Sequence, residues 1–152
     1  MVPVSRTVIS GFDPAALAAA MDRAGFDVSA LVRRSRVGKS TIQHWLGGTR
    51  RPQIHQLAKV AEALEVKLSD LIVVAPEARM LSYYRNIRGC TQVDIATAAG
   101  LPTSTVSTIE RGELLSLTDA VVTKLAAALE ISEAEFRDAY RRTQDRPPGT
   151  PA

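Results

Sequence analysis

The chain has 152 residues, of which 45% are hydrophobic and 23% charged, and its mean hydropathy is close to zero. This composition is typical of a globular protein and excludes a disordered or collagen-like chain. No apolar run reaches the roughly 18 residues of a membrane-spanning helix, and residues 1–6 lack the pattern of an export signal. A single cysteine, Cys90, excludes an intramolecular disulfide and fits a reducing compartment, so a cytoplasmic protein is expected.

Charge is distributed unevenly along the chain. Residues 1–75 carry ten Lys and Arg against six Asp and Glu, which gives +4. Residues 76–152 carry nine against ten, which gives −1. The basic first half therefore permits a polyanionic partner, and the second half does not share this property.

The sequence contains one pattern twice. A shift of 64 residues aligns residues 27–48 with 91–112, and a shift of 65 continues the alignment after one extra residue in the following loop. Few aligned residues are identical, but the apolar positions keep their spacing throughout. Two copies of a unit of about 60 residues are therefore predicted.

Capping and stop signals divide each copy into five short helices. In the first copy these helices are predicted over about 13–23, 27–35, 39–46, 53–64 and 69–72. In the second copy they are predicted to begin near Glu77, Gln92, Thr103, Leu117 and Glu133, with Thr91, Ser116 and Ser132 as N-caps. The prediction is an all-α fold with domains at 12–74 and 77–142 and a disordered, Pro-rich tail at 143–152.

The second copy carries the clearest motif, TQVDIA at 91–96 followed by AGLPTSTVSTIERG at 99–112. These segments closely resemble the helix-turn-helix of the phage repressor/Cro-like (XRE) family. The first copy resembles the same motif with more departures, and the two resemblances together cover about residues 13–140. They imply two tandem lambda-repressor-like domains of five helices, whose third helix enters the major groove of double-stranded DNA.

The turn between the second and third helices needs a residue with left-handed backbone. Gly100 supplies it in the second copy at no steric cost. In the first copy Arg36 stands at this position, where left-handed backbone costs on the order of 1 kcal/mol.

The resemblance implies that the third helix of the first copy contacts base edges. The candidates of this kind are Lys39, Ser40, Thr41, Gln43 and His44. Flanking residues that would meet phosphates are Arg33, Arg34, Arg36, Thr49, Arg50 and Arg51. No acidic residue lies between Asp27 and Glu62. A solvated basic face without a DNA-binding role is the alternative interpretation.

The second copy matches the helix-turn-helix motif more closely than the first copy does, but its charge is less favourable for DNA binding. Its base-reading candidates are Gln92, Thr103, Ser104, Thr105, Ser107 and Thr108. Only Arg111 is positive within this motif, and the following loop is Glu113-Leu114-Leu115, whose leucines are expected to be exposed. Exposed leucines favour a protein contact, so DNA reading and a docking or dimerising role both remain open for this copy.

In the family that the chain resembles, an arginine of the first helix often pairs with a glutamate near the end of the motif. Arg85 and Glu110 stand at these positions, and their counterparts 64 residues earlier are the apolar Met21 and Leu46. Joint loss of both charges is expected of a pair, because removing one partner leaves a poorly compensated charge. Arg85 and Glu110 are therefore predicted to form a structural ion pair.

Catalytic and metal-binding patterns are not found in the sequence. Gly38-Lys39-Ser40-Thr41 resembles the end of a phosphate-binding loop, but the required earlier glycine and preceding strand are missing. Two histidines and one cysteine do not make a zinc site, and no cofactor is predicted.

We interpret the chain as a non-enzymatic, sequence-specific DNA-binding transcriptional regulator, with repression implied by the resemblance. The alternative is an antitoxin or adaptor whose second domain binds a protein partner or dimerises.

Overall fold

A computed structural model describes residues 9–152. Residues 1–8, which include the segment considered for an export signal, lie outside the described part. The described chain forms two compact units, unit 1 at 9–73 and unit 2 at 74–152. The predicted all-α class is confirmed, since these residues form ten α-helices, a 3₁₀ turn and one isolated β-bridge. None of the described helices is long and apolar enough to span a membrane.

Unit 1 has five helices: α1 (Pro14–Ala24), α2 (Val28–Ser35), α3 (Lys39–Leu46), α4 (Ile54–Leu64) and α5 (Leu68–Leu71). Each lies within one residue of its predicted range. The Asp13 and Asp27 side chains cap α1 and α2, accepting hydrogen bonds from backbone N–H groups at 2.9 and 2.7 Å. Helix α2 packs against α3 and α4, and the core includes the fully buried Leu17, Leu31, Ile42, Leu57 and Val60.

Unit 1 is closed by its two ends. An antiparallel bridge joins Phe12 to Ile72, with the Asp13 N–H donating to the Leu71 carbonyl at 3.0 Å and the Val73 N–H donating to the Gly11 carbonyl at 2.8 Å. The Phe12 ring packs edge-on against Trp45, with 6.2 Å between the ring centroids. This closure holds α1 and α5 together, and α1 also packs against α3.

Unit 2 repeats the five helices: α6 (Leu81–Ile87), α7 (Gln92–Ala99), α8 (Thr103–Glu110), α9 (Asp119–Leu129) and α10 (Glu133–Asp145). The prediction that its first helix begins near Glu77 is wrong, because Pro76–Ala78 forms only a 3₁₀ turn. Arg79 then adopts an extended conformation and its carbonyl accepts a hydrogen bond from Arg142 Nε at 2.7 Å. This long-range contact holds the break between the turn and α6.

Two further predicted boundaries differ in unit 2. Helix α9 begins at Asp119, later than the predicted Leu117, because Thr118 rather than Ser116 caps it and accepts a hydrogen bond from the Val121 N–H at 3.3 Å. Helix α10 continues three residues beyond 142, so residues 143–145 belong to this helix and not to the predicted disordered tail, and Thr143 is fully buried. A side chain at Gly112 would lie 3.3 Å from the Gln144 backbone, so α10 closely covers the end of α8.

The internal repeat is also present in the backbone. Left-handed conformations occur at matching positions of the two units: Gly25 and Gly89 (φ 71° and 70°), Arg36 and Gly100 (62° and 68°), Gly48 and Gly112 (71° and 74°), Glu65 and Glu130 (55° and 57°). Arg36 thus adopts the left-handed conformation expected at the turn between α2 and α3. The two units share one fold, and they differ in side chains, in the length of the first helix (11 residues in α1 and seven in α6) and in the length of the last helix.

Candidate nucleic-acid interface

The turn between α2 and α3 is fixed by hydrogen bonds between residues close in sequence. Ser35 Oγ donates to the Leu31 carbonyl at 2.6 Å and accepts from the Val37 N–H at 3.2 Å. The Arg36 N–H donates to the Val32 carbonyl at 3.0 Å. These contacts hold the turn on both sides of Arg36 and fix the orientation of α3 relative to α2.

One face of α3 is anchored in the core and the other faces solvent. Ile42 and Trp45 are buried, whereas the predicted base-reading residues on the opposite face are exposed or half-buried: Lys39, Ser40, Thr41, Gln43 and His44. Gly38, at the N-cap, has no side chain to bond the first N–H groups of the helix. The polar face of α3 is therefore presented outward from a rigid support.

Exposed cations surround this polar face. They lie at the end of α2, in the turn, at the start of α3 and in the loop after α3: Arg33, Arg34, Arg36, Lys39, Arg50 and Arg51. Every ion pair between residues 9 and 152 lies in unit 2. These six cations around α3 therefore form no ion pair within the described residues, as expected of groups that pair with phosphates.

His44 and Thr49 contact each other across the end of α3. His44 Nδ1 lies 2.8 Å from Thr49 Oγ1, and the His44 carbonyl accepts from the Thr49 N–H at 3.0 Å. Sequence reasoning assigned His44 to a base and Thr49 to a phosphate and missed this contact. A polar pair on either side of Gly47-Gly48 was the available signal, since two glycines allow the chain to fold back.

The corresponding helix of unit 2, α8, has a different electrostatic setting. Arg111, the cation that directly follows α8, forms an ion pair with Glu113 at 3.0 Å and also donates a hydrogen bond to Ser107 Oγ. Thr108 Oγ1 donates to the Ser104 carbonyl at 2.9 Å. Thr103 and Ser104 are exposed, and Thr105 is half-buried. Two of the predicted base-reading hydroxyls, those of Ser107 and Thr108, are thus already hydrogen-bonded within the unit.

Arg85 and Glu110 meet inside unit 2. Arg85 is 0% exposed and Glu110 8% exposed, and two contacts join them: Nε to Oε2 at 2.7 Å and Nη2 to Oε1 at 3.0 Å. Arg85 Nη1 also donates to the Cys90 carbonyl at 2.9 Å. Gln92 Nε2 donates to Glu110 Oε1 at 3.3 Å, so the amide of this predicted base-reading residue is tied to the ion pair.

The loop after α8 is held by α10. The Leu114 carbonyl accepts hydrogen bonds from the Tyr140 hydroxyl and from Gln144 Nε2, the latter at 3.3 Å. Burial raises the pKa of the Tyr140 phenol above its ordinary value. The expectation that both leucines are exposed is wrong for Leu114, which packs against the core, whereas Leu115 is 97% exposed.

Two family models match the chain, one over each unit. The model of Cro/C1-type helix-turn-helix DNA-binding domains matches residues 16–77, and a helix-turn-helix model matches residues 81–136. The matches include α3 and α8 in the position of the third helix. No curated protein matches the chain.

Proposed function

We propose that this chain, which belongs to the XRE-like helix-turn-helix family in two tandem copies and is a DNA-binding transcription regulator, is a repressor that reads the major groove with α3. Occupancy of promoter DNA by unit 1 would exclude other proteins from the same site. We assign it no catalytic activity, because domains of this family are typically regulators without enzymatic function.

The observation that carries the proposal is the combination of an outward polar face with unneutralised cations on both sides of it. Lys and Arg that pair with phosphates release counterions, which supplies much of the affinity of a DNA-binding protein and makes it salt-dependent. Phosphate contacts also fix the register of the helix on the duplex. Arg33 and Arg34 precede the turn, whereas Arg50 and Arg51 follow α3, so phosphates on both sides of a groove are the expected partners.

Base recognition follows from the donor and acceptor groups on α3. Lys39 suits the acceptors of guanine, and Gln43 matches the donor and acceptor pair of adenine in the major groove. The hydroxyls of Ser40 and Thr41 pair with several bases and discriminate less. We therefore propose that Lys39, Gln43 and His44 contribute most of the specificity.

A second candidate function, for unit 2, is a contact with a protein. Arg111 is neutralised by Glu113, and phosphate binding by this helix is correspondingly weaker. Leu115 is almost fully exposed on a loop that Tyr140 and Gln144 hold in place. An apolar side chain presented on a rigid loop favours a second copy of the chain or another protein as its partner.

Selection of bound sequences from a random duplex library, followed by footprinting, tests the proposal. Arg50→Ala/Arg51→Ala is expected to weaken binding to all sequences. Arg137→Ala/Arg141→Ala is the matched control, because it removes two charges from exposed arginines that are paired within unit 2. Equal losses with the two double variants would contradict the placement of DNA on unit 1.

The same experiment separates the two roles of unit 2. Thr103→Ala/Ser104→Ala leaves both affinity and site unchanged if unit 2 docks a protein. A changed preference at one half of a long, asymmetric site would instead show that both units read DNA, which would make the chain a covalent pseudo-dimer.

A further inference from the structure

Among the predicted base-reading residues of α3, His44 is the one whose side chain is hydrogen-bonded to another described side chain. Its Nδ1 lies 2.8 Å from Thr49 Oγ1. Thr49 Oγ1 also lies 3.3 Å from the His44 carbonyl oxygen, which accepts the backbone N–H groups of Thr49 and Arg50 at 3.0 and 3.4 Å. Within the described residues, Nε2 of His44 makes no hydrogen bond. The ring is thus held through one nitrogen and has the other available.

The single proton of the Thr49 hydroxyl decides which tautomer fits these contacts. If the hydroxyl donates to the His44 carbonyl, Nδ1 must carry the proton that bonds Oγ1, and each of the two contacts contains a hydrogen. If the hydroxyl instead donates to Nδ1, no hydrogen lies between Thr49 Oγ1 and the His44 carbonyl oxygen, which are 3.3 Å apart. The first arrangement satisfies both contacts, and in a neutral imidazole it leaves Nε2 as an acceptor.

We propose that Thr49 is a positioning residue that holds His44 with its proton on Nδ1, so that Nε2 accepts a hydrogen bond from a base amino group in the major groove. Adenine N6 and cytosine N4 carry such amino groups, whereas guanine and thymine present only acceptors and a methyl group there. This inference rests on the proposed function and deepens it. It assigns a base class to His44 and removes Thr49 from the phosphate contacts.

Four duplexes that differ at one base pair test the specificity. The varied base pair is the position of the selected site at which the His44→Ala variant no longer prefers one base over the others. Wild type is expected to prefer adenine or cytosine at this position over guanine and thymine by about tenfold, and Thr49→Ser to keep this preference. Thr49→Val, which has the same shape without the hydroxyl, is expected to lose the preference while its affinity for the other duplexes stays within a few-fold. A preference for guanine, or one that survives in Thr49→Val, would overturn the proposal.

Nitrogen NMR of the full chain labelled at histidine reads the tautomer without DNA. The chain has two histidines, so His44→Ala assigns the signals. In spectra of the neutral ring, His44 is expected to show a protonated Nδ1 in wild type and Thr49→Ser, and a changed tautomer ratio in Thr49→Val. A protonated Nε2 in wild type overturns the inference while DNA binding stands. The expected tautomer in a protein that does not bind DNA would overturn the proposed function instead.

Discussion

Met21 and Arg85 occupy equivalent positions of the two units, and both are buried although only one is charged. The charge of Arg85 is compensated by two hydrogen bonds to Glu110. The counterpart of Glu110 in unit 1 is Leu46, so the fold accommodates either an ion pair or two apolar residues at these positions. A buried pair of this kind costs desolvation that its Coulomb attraction must offset.

This equivalence predicts a double-mutant result. Arg85→Met or Glu110→Leu alone is expected to destabilise unit 2 by about 3–5 kcal/mol, because each leaves an uncompensated buried charge. The double variant, which introduces the unit 1 residues, is expected to recover most of the loss. The free energy of unfolding of unit 2 is measured by tyrosine absorbance, since all three tyrosines lie there.

Trp45 fluorescence provides the internal control, because the only tryptophan lies in unit 1 and its unfolding should not respond to these variants. If the two single losses simply add in the double variant, Arg85 and Glu110 do not act as a pair.

The left-handed backbone of Arg36 predicts opposite changes in stability and affinity. Arg36→Gly is expected to stabilise unit 1 by about 0.5–1 kcal/mol, the relieved strain less the greater entropy of glycine in the unfolded chain. DNA affinity is expected to fall, because a phosphate-binding cation is lost. Denaturation followed by Trp45 fluorescence measures the first effect and DNA titration the second.

Gly100→Ala is the reciprocal variant in unit 2. A Cβ at Gly100 would have no atom within 4 Å, so only backbone strain contributes, and a loss of about 1 kcal/mol is expected.

A loss of stability in Arg36→Gly would contradict the first of these two predictions. It would show that the Arg36 side chain stabilises the turn by more than its left-handed backbone costs.

The ion pair between Arg111 and Glu113 predicts that unit 2 gains DNA affinity when it is broken. Glu113→Thr introduces the residue found at the equivalent position in unit 1, and should raise the affinity for DNA of any sequence at low salt. The slope of log affinity against log salt should steepen by about 0.9 if Arg111 then neutralises one phosphate. Glu135→Thr makes the same charge change at an exposed position of α10, and an equal gain there would attribute the effect to net charge alone.

The hydroxyl of Tyr140 is expected to stabilise unit 2. Tyr140→Phe removes a hydrogen bond to the Leu114 carbonyl, and a loss of about 1 kcal/mol should follow. Because burial raises the pKa of Tyr140 in the folded state, the unfolded chain loses this proton first. The stabilisation of unit 2 by the protonated Tyr140 hydroxyl is therefore fully present below about pH 10, and it declines as the pH rises through the alkaline range.

Chemical denaturation at about pH 9 and pH 11 measures this dependence. The alkaline loss of unit 2 stability should be smaller in Tyr140→Phe than in wild type. An identical loss of unit 2 stability at alkaline pH in the two proteins would show that Tyr140 is not its source.

The helices of unit 1 could be predicted closely because their ends are encoded locally. Asp13 and Asp27 cap the helices that follow them, and Gly47-Gly48 ends α3. The start of α6 could not be predicted in this way, since the Arg79 carbonyl is held by Arg142 from 63 residues away. Such a contact leaves no trace in the local pattern around Glu77.

The polar face of α3 and its cations followed from the sequence, whereas the side-chain pairs did not. His44 with Thr49, and Arg111 with Glu113, meet because the loop after the third helix turns back through a left-handed glycine. Which polar groups then come within hydrogen-bond distance depends on the loop path in three dimensions. The sequence therefore identified His44 and Thr49 as candidate DNA contacts, and Arg111 as the cation of the second motif, without assigning their partners.

The unneutralised cations around α3 also have a consequence for the protein when it is free of DNA. Like charges on one small unit repel one another, so added salt should stabilise free unit 1 while it weakens the DNA complex. A bound duplex should protect unit 1 against unfolding by a free energy that rises with the logarithm of the DNA concentration divided by the dissociation constant. Proteolysis would then remove unoccupied molecules preferentially, and the lifetime of the regulator in the cell would depend on the availability of its binding site.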